Sequence, residues 1–121
     1  MIEKNTEYYK MQFYDSYVIV EGLGEFVVDT AIARKTIQTI VDHYKRKEFV
    51  IISNRKSDYS LNPDAYNDSI FKKIKGIAIV SQKPQMKMKA MVEQERFEQS
   101  FAFFEELEDA RNWAENFFVN Y

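Results

Sequence analysis

The chain has 121 residues, of which 45% are apolar and 30% charged, with no cysteine and a net charge of −2. This length predicts a single domain over residues 1–121, and the composition excludes disulfides, thiolate metal sites and a cysteine nucleophile. With neither a run of about 20 apolar residues nor the apolar segment of a signal peptide, the chain is predicted to be cytoplasmic and to have no membrane span.

The N-terminal part of the chain begins with an alternation of apolar and polar side chains, which is typical of a half-buried strand. Residues 9–13 show this alternation, Asp15 and Ser16 provide turn chemistry, and residues 17–21 form a second β-rich run. We therefore predict an antiparallel hairpin, followed by a short extended stretch at residues 26–28.

An amphipathic helix is predicted to begin after Asp29 and to end near residue 47. Its apolar residues recur at helical spacing and comprise Ala33, Ile37, Ile40, Val41 and Tyr44. Asp29 or Thr30 provides the N-cap. The sole histidine, His43, lies off this stripe and is predicted to be a solvent-exposed surface residue.

Two continuous apolar runs, at residues 49–52 and 77–80, are typical of strands that are buried on both faces. Between them, Asn62 and Pro63 predict the start of a helix. The inner residues of this helix share helical spacing and are Tyr66, Ile70 and Ile74. A strand, a helix and a strand in this order predict a right-handed crossover between parallel strands.

A third helix is predicted from Pro84 to about Arg96, with an inner face formed by Met88, Met91 and Val92. A short strand at residues 100–104 precedes a last helix, whose apolar stripe comprises Leu107, Ala110, Ala114, Phe117, Phe118 and Tyr121. Trp113 lies at the flank of that stripe, where a half-exposed ring could anchor a homodimer. The predicted fold class is α/β (α+β), with an N-terminal antiparallel hairpin joined to a mixed sheet of four or five strands and about four helices.

Charge is distributed unevenly, with a net charge of −4 over residues 1–33, +8 over residues 34–89 and −6 over residues 90–121. A basic middle segment is suited either to an anionic partner or to the acidic ends of the same chain. The sequence pI of 5.5 argues against nucleic acid binding, which normally requires a pI above about 9.

Polar side chains follow both predicted parallel strands, at the edge where open α/β sheets bind ligands. The partner- or anion-binding candidates are Asn54, Arg55, Lys56, Ser57, Ser60 and Asn62 in the first segment, which also contains Asp58 and Tyr59, and Ser81 and Lys83 in the second. Basic groups and helix N-termini suit an anionic group or an acidic protein surface. A pair of ordinary polar loops that cap helices would have the same composition.

The sequence shows no catalytic constellation. The spacing does not arrange a Ser-His-acid relay around His43, and it contains neither clustered zinc ligands nor a Gly-rich phosphate loop. Glu93 and Glu95 are predicted to point to different helix faces, which makes them a poor acid–base pair. We therefore predict a protein that is not an enzyme and has no catalytic residues, no metal site and no cofactor.

The order hairpin, helix, strand, helix, strand, helix, short strand and helix resembles the SpoIIAA-like fold of STAS domains and their SEC14-like relatives. The resemblance is carried by residues 49–53, by the loop to Leu61-Asn62-Pro63, by residues 76–81 and by Phe104-Glu105 with the helix that follows. The chain is similar to the small stand-alone bacterial members of this group, whose function is unassigned.

In anti-sigma-factor antagonists of this fold, a partner kinase phosphorylates a Ser at the helix N-terminus that follows the strand corresponding to residues 49–53. Here Asn62 stands in place of that Ser and Pro63 in place of the following Gly, so the phosphorylatable motif is lacking. A docking role for the same edge is still expected, because polar side chains converge there and the sequence shows no catalytic constellation. We therefore predict a non-enzymatic protein-interaction or regulatory module that docks a protein partner.

The alternative is a domain that binds a small ligand or a lipid, because the SEC14-like resemblance implies apolar pockets in this architecture. Met86, Met88 and Met91 could line an adaptable pocket or simply fill the core.

Overall fold

The N-terminal hairpin forms the first part of the sheet in the computed structural model, which describes residues 1–57 and 60–119. Strand β2 (Tyr9–Phe13) pairs antiparallel with β3 (Tyr17–Gly22), as predicted. A further strand, β1 (Ile2–Asn5), pairs antiparallel with β2 and forms one edge of the sheet. The sequence did not predict β1, because all of its residues are exposed and its side chains therefore do not alternate between apolar and polar.

The rest of the sheet is parallel. Strand β5 (Val50–Asn54) lies between β3 and β7 (Gly76–Val80) and is parallel to both, and β8 (Ser100–Phe104) is parallel to β7. The predicted parallel pairing of the two continuous apolar runs is therefore confirmed. The sheet has six strands in the order β1-β2-β3-β5-β7-β8, which makes it wider than predicted.

A separate parallel pair joins β4 (Val27–Val28), in the predicted extended stretch, to β6 (Ser60–Leu61). The backbone N–H of Asn62 also donates to the carbonyl oxygen of Val28, at 3.0 Å. This pairing holds the chain that follows β5 against the start of the first helix.

Helix α1 (Thr30–Tyr44) forms as predicted, and its buried residues are the predicted stripe: Ala33, Ile37, Ile40, Val41 and Tyr44. Asp29 caps it by accepting a hydrogen bond from the backbone N–H of Ile32, at 2.8 Å. At the other end, the Tyr44 hydroxyl donates to the carbonyl oxygen of Tyr17, at 2.6 Å, and ties the helix to β3.

The prediction that His43 is a solvent-exposed surface residue is wrong. Its side chain is half-buried, and its ring centroid lies 4.0 Å from that of Phe13 on β2. Burial, with a smaller contribution from the positive charge of Lys4, lowers the pKa of the imidazole below its ordinary value.

The helix predicted after Asn62 forms as two short 3₁₀ segments, Pro63–Asn67 and Ser69–Lys73. Asp68 separates them because it has an extended backbone and its carboxylate caps the second segment, accepting from the N–H of Ile70 at 3.0 Å. The predicted inner residues Tyr66, Ile70 and Ile74 are buried, although the element is not an α-helix.

Helix α2 (Pro84–Arg96) has the predicted bounds but not the predicted orientation. Met88, Met91 and Val92, expected to face inward, are exposed at 68%, 56% and 47%. The buried residues of the helix are Met86, Ala90 and Glu93. The prediction failed because the inner face contains the carboxylate of Glu93. An assignment from apolar spacing alone places a carboxylate on the solvent-exposed face of a helix.

The sheet is covered on both faces. Successive right-handed crossovers in one direction place α1, the 3₁₀ segments and α2 on one face, and α3 (Leu107–Asn116) packs on the other. The structure therefore has three α-helices in its described residues, where about four were predicted.

Helix α3 approaches the sheet closely at Gly76, the first residue of β7. A Cβ atom at this position would lie 2.9 Å from the Phe117 ring and 3.0 Å from the Trp113 ring. Trp113 is half-buried, as predicted, and its ring also packs against Phe104. Tyr121, predicted to continue this stripe, lies outside the described residues, as do Asp58, Tyr59 and Asn120.

Candidate functional site

The carboxyl ends of the parallel strands β5, β7 and β8 meet at one edge of the sheet. A cleft of about 480 Å³ lies there, lined by residues 54–56, 80–83 and 105–107. We call it the edge cleft. It is formed where open α/β sheets present their ligand sites, because the loops after parallel strands leave a crevice there.

The edge cleft brings together only part of the predicted candidates, namely Asn54, Arg55, Lys56, Ser81 and Lys83. Ser57 and Asn62 are placed elsewhere. The Ser57 hydroxyl donates to the carbonyl oxygen of Gly24, at 3.1 Å, and the Asn62 side chain caps the first 3₁₀ segment. These positions follow from the pairing of β6 with β4, which includes the backbone of Ser60 and carries the chain away from the cleft.

Acidic residues complete the edge cleft, although they were not among the candidates. Glu105 and Glu106 follow β8 and line the cleft, and the Gln82 side chain donates to Glu106, at 2.9 Å. Lys56 forms an ion pair with Glu21 of β3, at 3.4 Å. Glu105 and Glu106 could have been found from the sequence by treating residues 100–104 as a third parallel strand ending at the same edge.

Arg55, one of the predicted partner- or anion-binding candidates, does not present its charge to the solvent at this edge. Its side chain is 3% exposed and forms an ion pair with Glu93 of α2, which is equally buried. Both terminal nitrogens donate to the carboxylate at 2.6 Å, so the pair is bidentate. Such a fork satisfies the geometric preference of guanidinium and carboxylate groups.

Further polar contacts surround this buried pair. The Tyr66 hydroxyl donates to Glu93 at 2.7 Å, and the Arg55 Nε donates to the Ser53 hydroxyl at 3.1 Å. Met86 places its sulfur 3.6 Å from the guanidinium. We call these five residues the Arg55–Glu93 cluster. Since buried charges must be paired and hydrogen-bonded, the cluster fixes α2 and the first 3₁₀ segment to the end of β5.

A small, partly open cavity of about 70 Å³ adjoins the cluster beneath α1. Its lining is mostly apolar, with polar groups from Ser53, Arg55 and Tyr66. It has less than half the volume of an engineered cavity of about 150 Å³ that binds benzene. Met88 and Met91, predicted as possible pocket residues, do not line this cavity and have exposed side chains.

Residues 1–57 and 60–119 contain neither a clustered metal site nor a membrane-spanning helix. Over these residues, no group of three or more metal-ligating side chains lies close enough to hold an ion. None of the helices in the same residues has the length and apolar character needed to cross a bilayer.

The fold class of the chain follows from its similarity to a solved structure. No protein-family model and no curated protein matches the chain. Among solved structures, the chain is similar to an uncharacterised protein of the DUF3478 family from Shewanella loihica PV-4, which has a SpoIIAA-like fold. The TM-score is 0.63 at 19% sequence identity, over 94% of this chain and 99% of that one. The chain therefore has the SpoIIAA-like fold that its element order predicts.

Proposed function

We propose that this domain is a non-catalytic interaction module that binds a segment of a protein partner in the edge cleft. The observation that carries the proposal is the convergence of polar side chains from the ends of β5, β7 and β8 on one cleft of about 480 Å³. Sites for small apolar molecules are lined mainly by hydrophobic side chains. Eight of the ten residues that line this cleft are polar or charged, and the other two are Val80 and Leu107.

The charges of the edge cleft suggest the chemistry of the partner. Lys56 and Lys83 provide cations, whereas Glu105 and Glu106 provide anions from the adjoining loop. A peptide segment that carries charges of both signs would find a complementary group on each side. The side chain of Lys56 is 70% exposed, so its ion pair with Glu21 can rearrange at low cost.

Charge reversal tests the proposal. The tagged chain carrying Lys56→Glu and Lys83→Glu is compared with wild type in crosslinked capture from its own host. The control carries Arg46→Glu and Lys73→Glu, two exposed residues that precede the amino ends of β5 and β7, at the opposite edge of the sheet. The partner is identified by quantitative mass spectrometry and its affinity for each purified chain is then measured by calorimetry.

We expect the cleft variant to bind the identified partner at least about tenfold more weakly, since it creates like-charge contacts with an acidic loop and with the partner. The control variant should bind as wild type does. Equal affinity for the cleft variant and the wild type would overturn the proposal.

A second candidate function, small-ligand binding, is favoured by the small cavity beside the Arg55–Glu93 cluster. Its volume admits only a small apolar group unless α1 moves. Native mass spectrometry of the chain purified from its own host, beside a cavity-filling Ala33→Leu variant, tests this. An added mass that is present in wild type and lost in the variant is expected; a bare mass in both would contradict it.

A further inference from the structure

The outer edge of β8 presents backbone groups that have no strand beside them. Within residues 1–57 and 60–119, β7 is the sole strand that pairs with β8. The N–H of Ser81, just after β7, donates to the carbonyl oxygen of Phe104, at 3.1 Å. Backbone groups of successive residues point to opposite sides of a strand. Phe101 and Phe103 therefore direct their N–H and C=O groups to the outer edge.

The two edges of the sheet differ in how they are protected. Strand β1 has the sequence Ile-Glu-Lys-Asn, with exposed charges that discourage pairing with another chain. Strand β8 has the sequence Ser-Phe-Ala-Phe-Phe, with neither a charge nor a proline. An uncharged edge of this kind is a template for a further strand.

Helix α2 runs alongside this edge, since the Lys87 ammonium lies 5.9 Å from the centroid of the Phe103 ring. Its exposed Met88, Met91 and Val92 form an apolar stripe with spacings of three and four residues. Helix α3, on the other face, packs on β5, β7 and β8.

The charges of α2 are segregated along its length. Lys83, Lys87 and Lys89 lie at or near its N-terminal half, and Glu95 and Glu98 lie at or just beyond its C-terminal end. Arg96, the remaining cation in this part, binds Asp64 at 2.9 Å. Two such helices side by side and antiparallel would place the basic half of each along the acidic half of the other.

We propose that a second copy of this chain pairs with the outer edge of β8, antiparallel and across a two-fold axis at Ala102. Phe101 then exchanges backbone hydrogen bonds with Phe103 of the second copy, and Ala102 takes the closely spaced, non-hydrogen-bonded position. The same axis places the two α2 helices antiparallel, which covers Met91 and brings their opposite charges together. This surface is distinct from the edge cleft.

Sedimentation equilibrium over a range of concentrations tests the dimer with three lysine substitutions. Ala102→Lys places like charges opposite each other at the axis, and Met91→Lys does the same beside α2. Ile2→Lys, at the opposite edge of the sheet, is the matched control. We expect a dimer for wild type and Ile2→Lys, and a dissociation constant at least about tenfold higher for the other two.

Amide hydrogen exchange provides a second readout that does not depend on any variant. The amides of Phe101 and Phe103 should exchange more slowly as the wild-type concentration rises, whereas those of Ala102 and Phe104, directed to β7, should not respond. Met91 is exposed, so Met91→Lys preserves the fold and remains informative if Ala102→Lys does not fold. The proposal would be overturned by a wild type that stays monomeric into the millimolar range. It would also be overturned if the exchange rates of the Phe101 and Phe103 amides did not change with protein concentration.

Discussion

Helices α1 and α2 cover the same face of the sheet but are held there by different forces. Helix α1 buries an unbroken apolar stripe that includes Ile37 and Ile40. Helix α2 buries Met86 and Ala90 together with Glu93, whose charge is balanced by Arg55. The first arrangement relies on removal of apolar surface from water, and the second on a desolvated ion pair.

A side chain in this fold can therefore be fully buried without being hydrophobic, as Glu93 shows. An apolar anchor tolerates small changes, with a cost set by the lost volume. A buried ion pair depends on both partners at once, because removing one leaves an uncompensated charge inside the protein. The two helices should therefore respond differently to single and paired substitutions.

The largest effect is expected for Glu93→Leu. It leaves the Arg55 guanidinium buried without a carboxylate, and we expect a loss of about 3–5 kcal/mol in the free energy of unfolding. Urea denaturation followed by circular dichroism measures it. Glu95→Leu, on the exposed side of the same helix, should change stability by less than about 0.5 kcal/mol.

The double variant Arg55→Met with Glu93→Leu distinguishes the effect of the ion pair on stability from the effect of side-chain packing. Replacing both charges by apolar side chains of similar size should restore most of the loss, since no buried charge remains. If the double variant were as unstable as Glu93→Leu alone, the anchor of α2 would be steric and the comparison with α1 would fail.

On α1, Ile40→Ala should lower the free energy of unfolding by about 3 kcal/mol, because the fully buried side chain leaves a cavity. Met88→Ala on α2 is its natural counterpart and should cost little, as the side chain is exposed. Chemical denaturation of both variants checks this. A smaller loss for Ile40→Ala than for Met88→Ala would contradict the assignment of the inner faces.

A smaller effect is expected at the helix starts. Asp29 caps α1, whereas Lys83, before α2, makes no side-chain capping bond. Asp29→Ala should therefore cost about 1 kcal/mol of stability, measured by thermal and urea unfolding. Glu25→Ala, four residues earlier and outside any helix, serves as the control. An unchanged midpoint for Asp29→Ala would show that α1 does not depend on its cap.

The smallest effect concerns pH. Burial lowers the pKa of His43 below its ordinary value of 6.5, so the folded state binds the proton less readily than the unfolded state. The contribution of His43 to stability is thus present above pH 6.5 and is lost as the pH falls toward the lowered value. An NMR titration of the ring should give a pKa below 6.5, and His43→Gln should remove this part of the pH dependence. A ring pKa above 6.5 would contradict the burial described for α1.

The sequence predicts the fold wherever burial coincides with apolar spacing, as in α1 and in the runs that form β5 and β7. It fails where another interaction decides burial. Glu93 is buried because it forms an ion pair with Arg55, which lies far from it in the sequence. No local sequence pattern predicts that contact. The exposed strand β1 forms through backbone bonds alone, and Asp68 divides a helical pattern by capping its own neighbours.

The candidate site was predictable in its location but not in its composition. The rule that ligands bind beyond parallel strands locates Asn54, Ser81 and Lys83 correctly. The same rule does not predict that the short pairing of β4 with β6 places Asn62 outside the edge cleft. Nor does it predict that the Arg55 side chain points inward, toward Glu93 of α2.

The order of strands in the sheet follows their order in the chain. Each strand is added beside one already made, so a chain leaving the ribosome can build its sheet progressively from β1 without opening an earlier pair. Strand β8 is completed last, and until then β7 is itself the uncovered edge. A translation product truncated before residue 100 would therefore expose the continuous apolar strand Gly76–Val80, and would be the form of this protein most prone to aggregate.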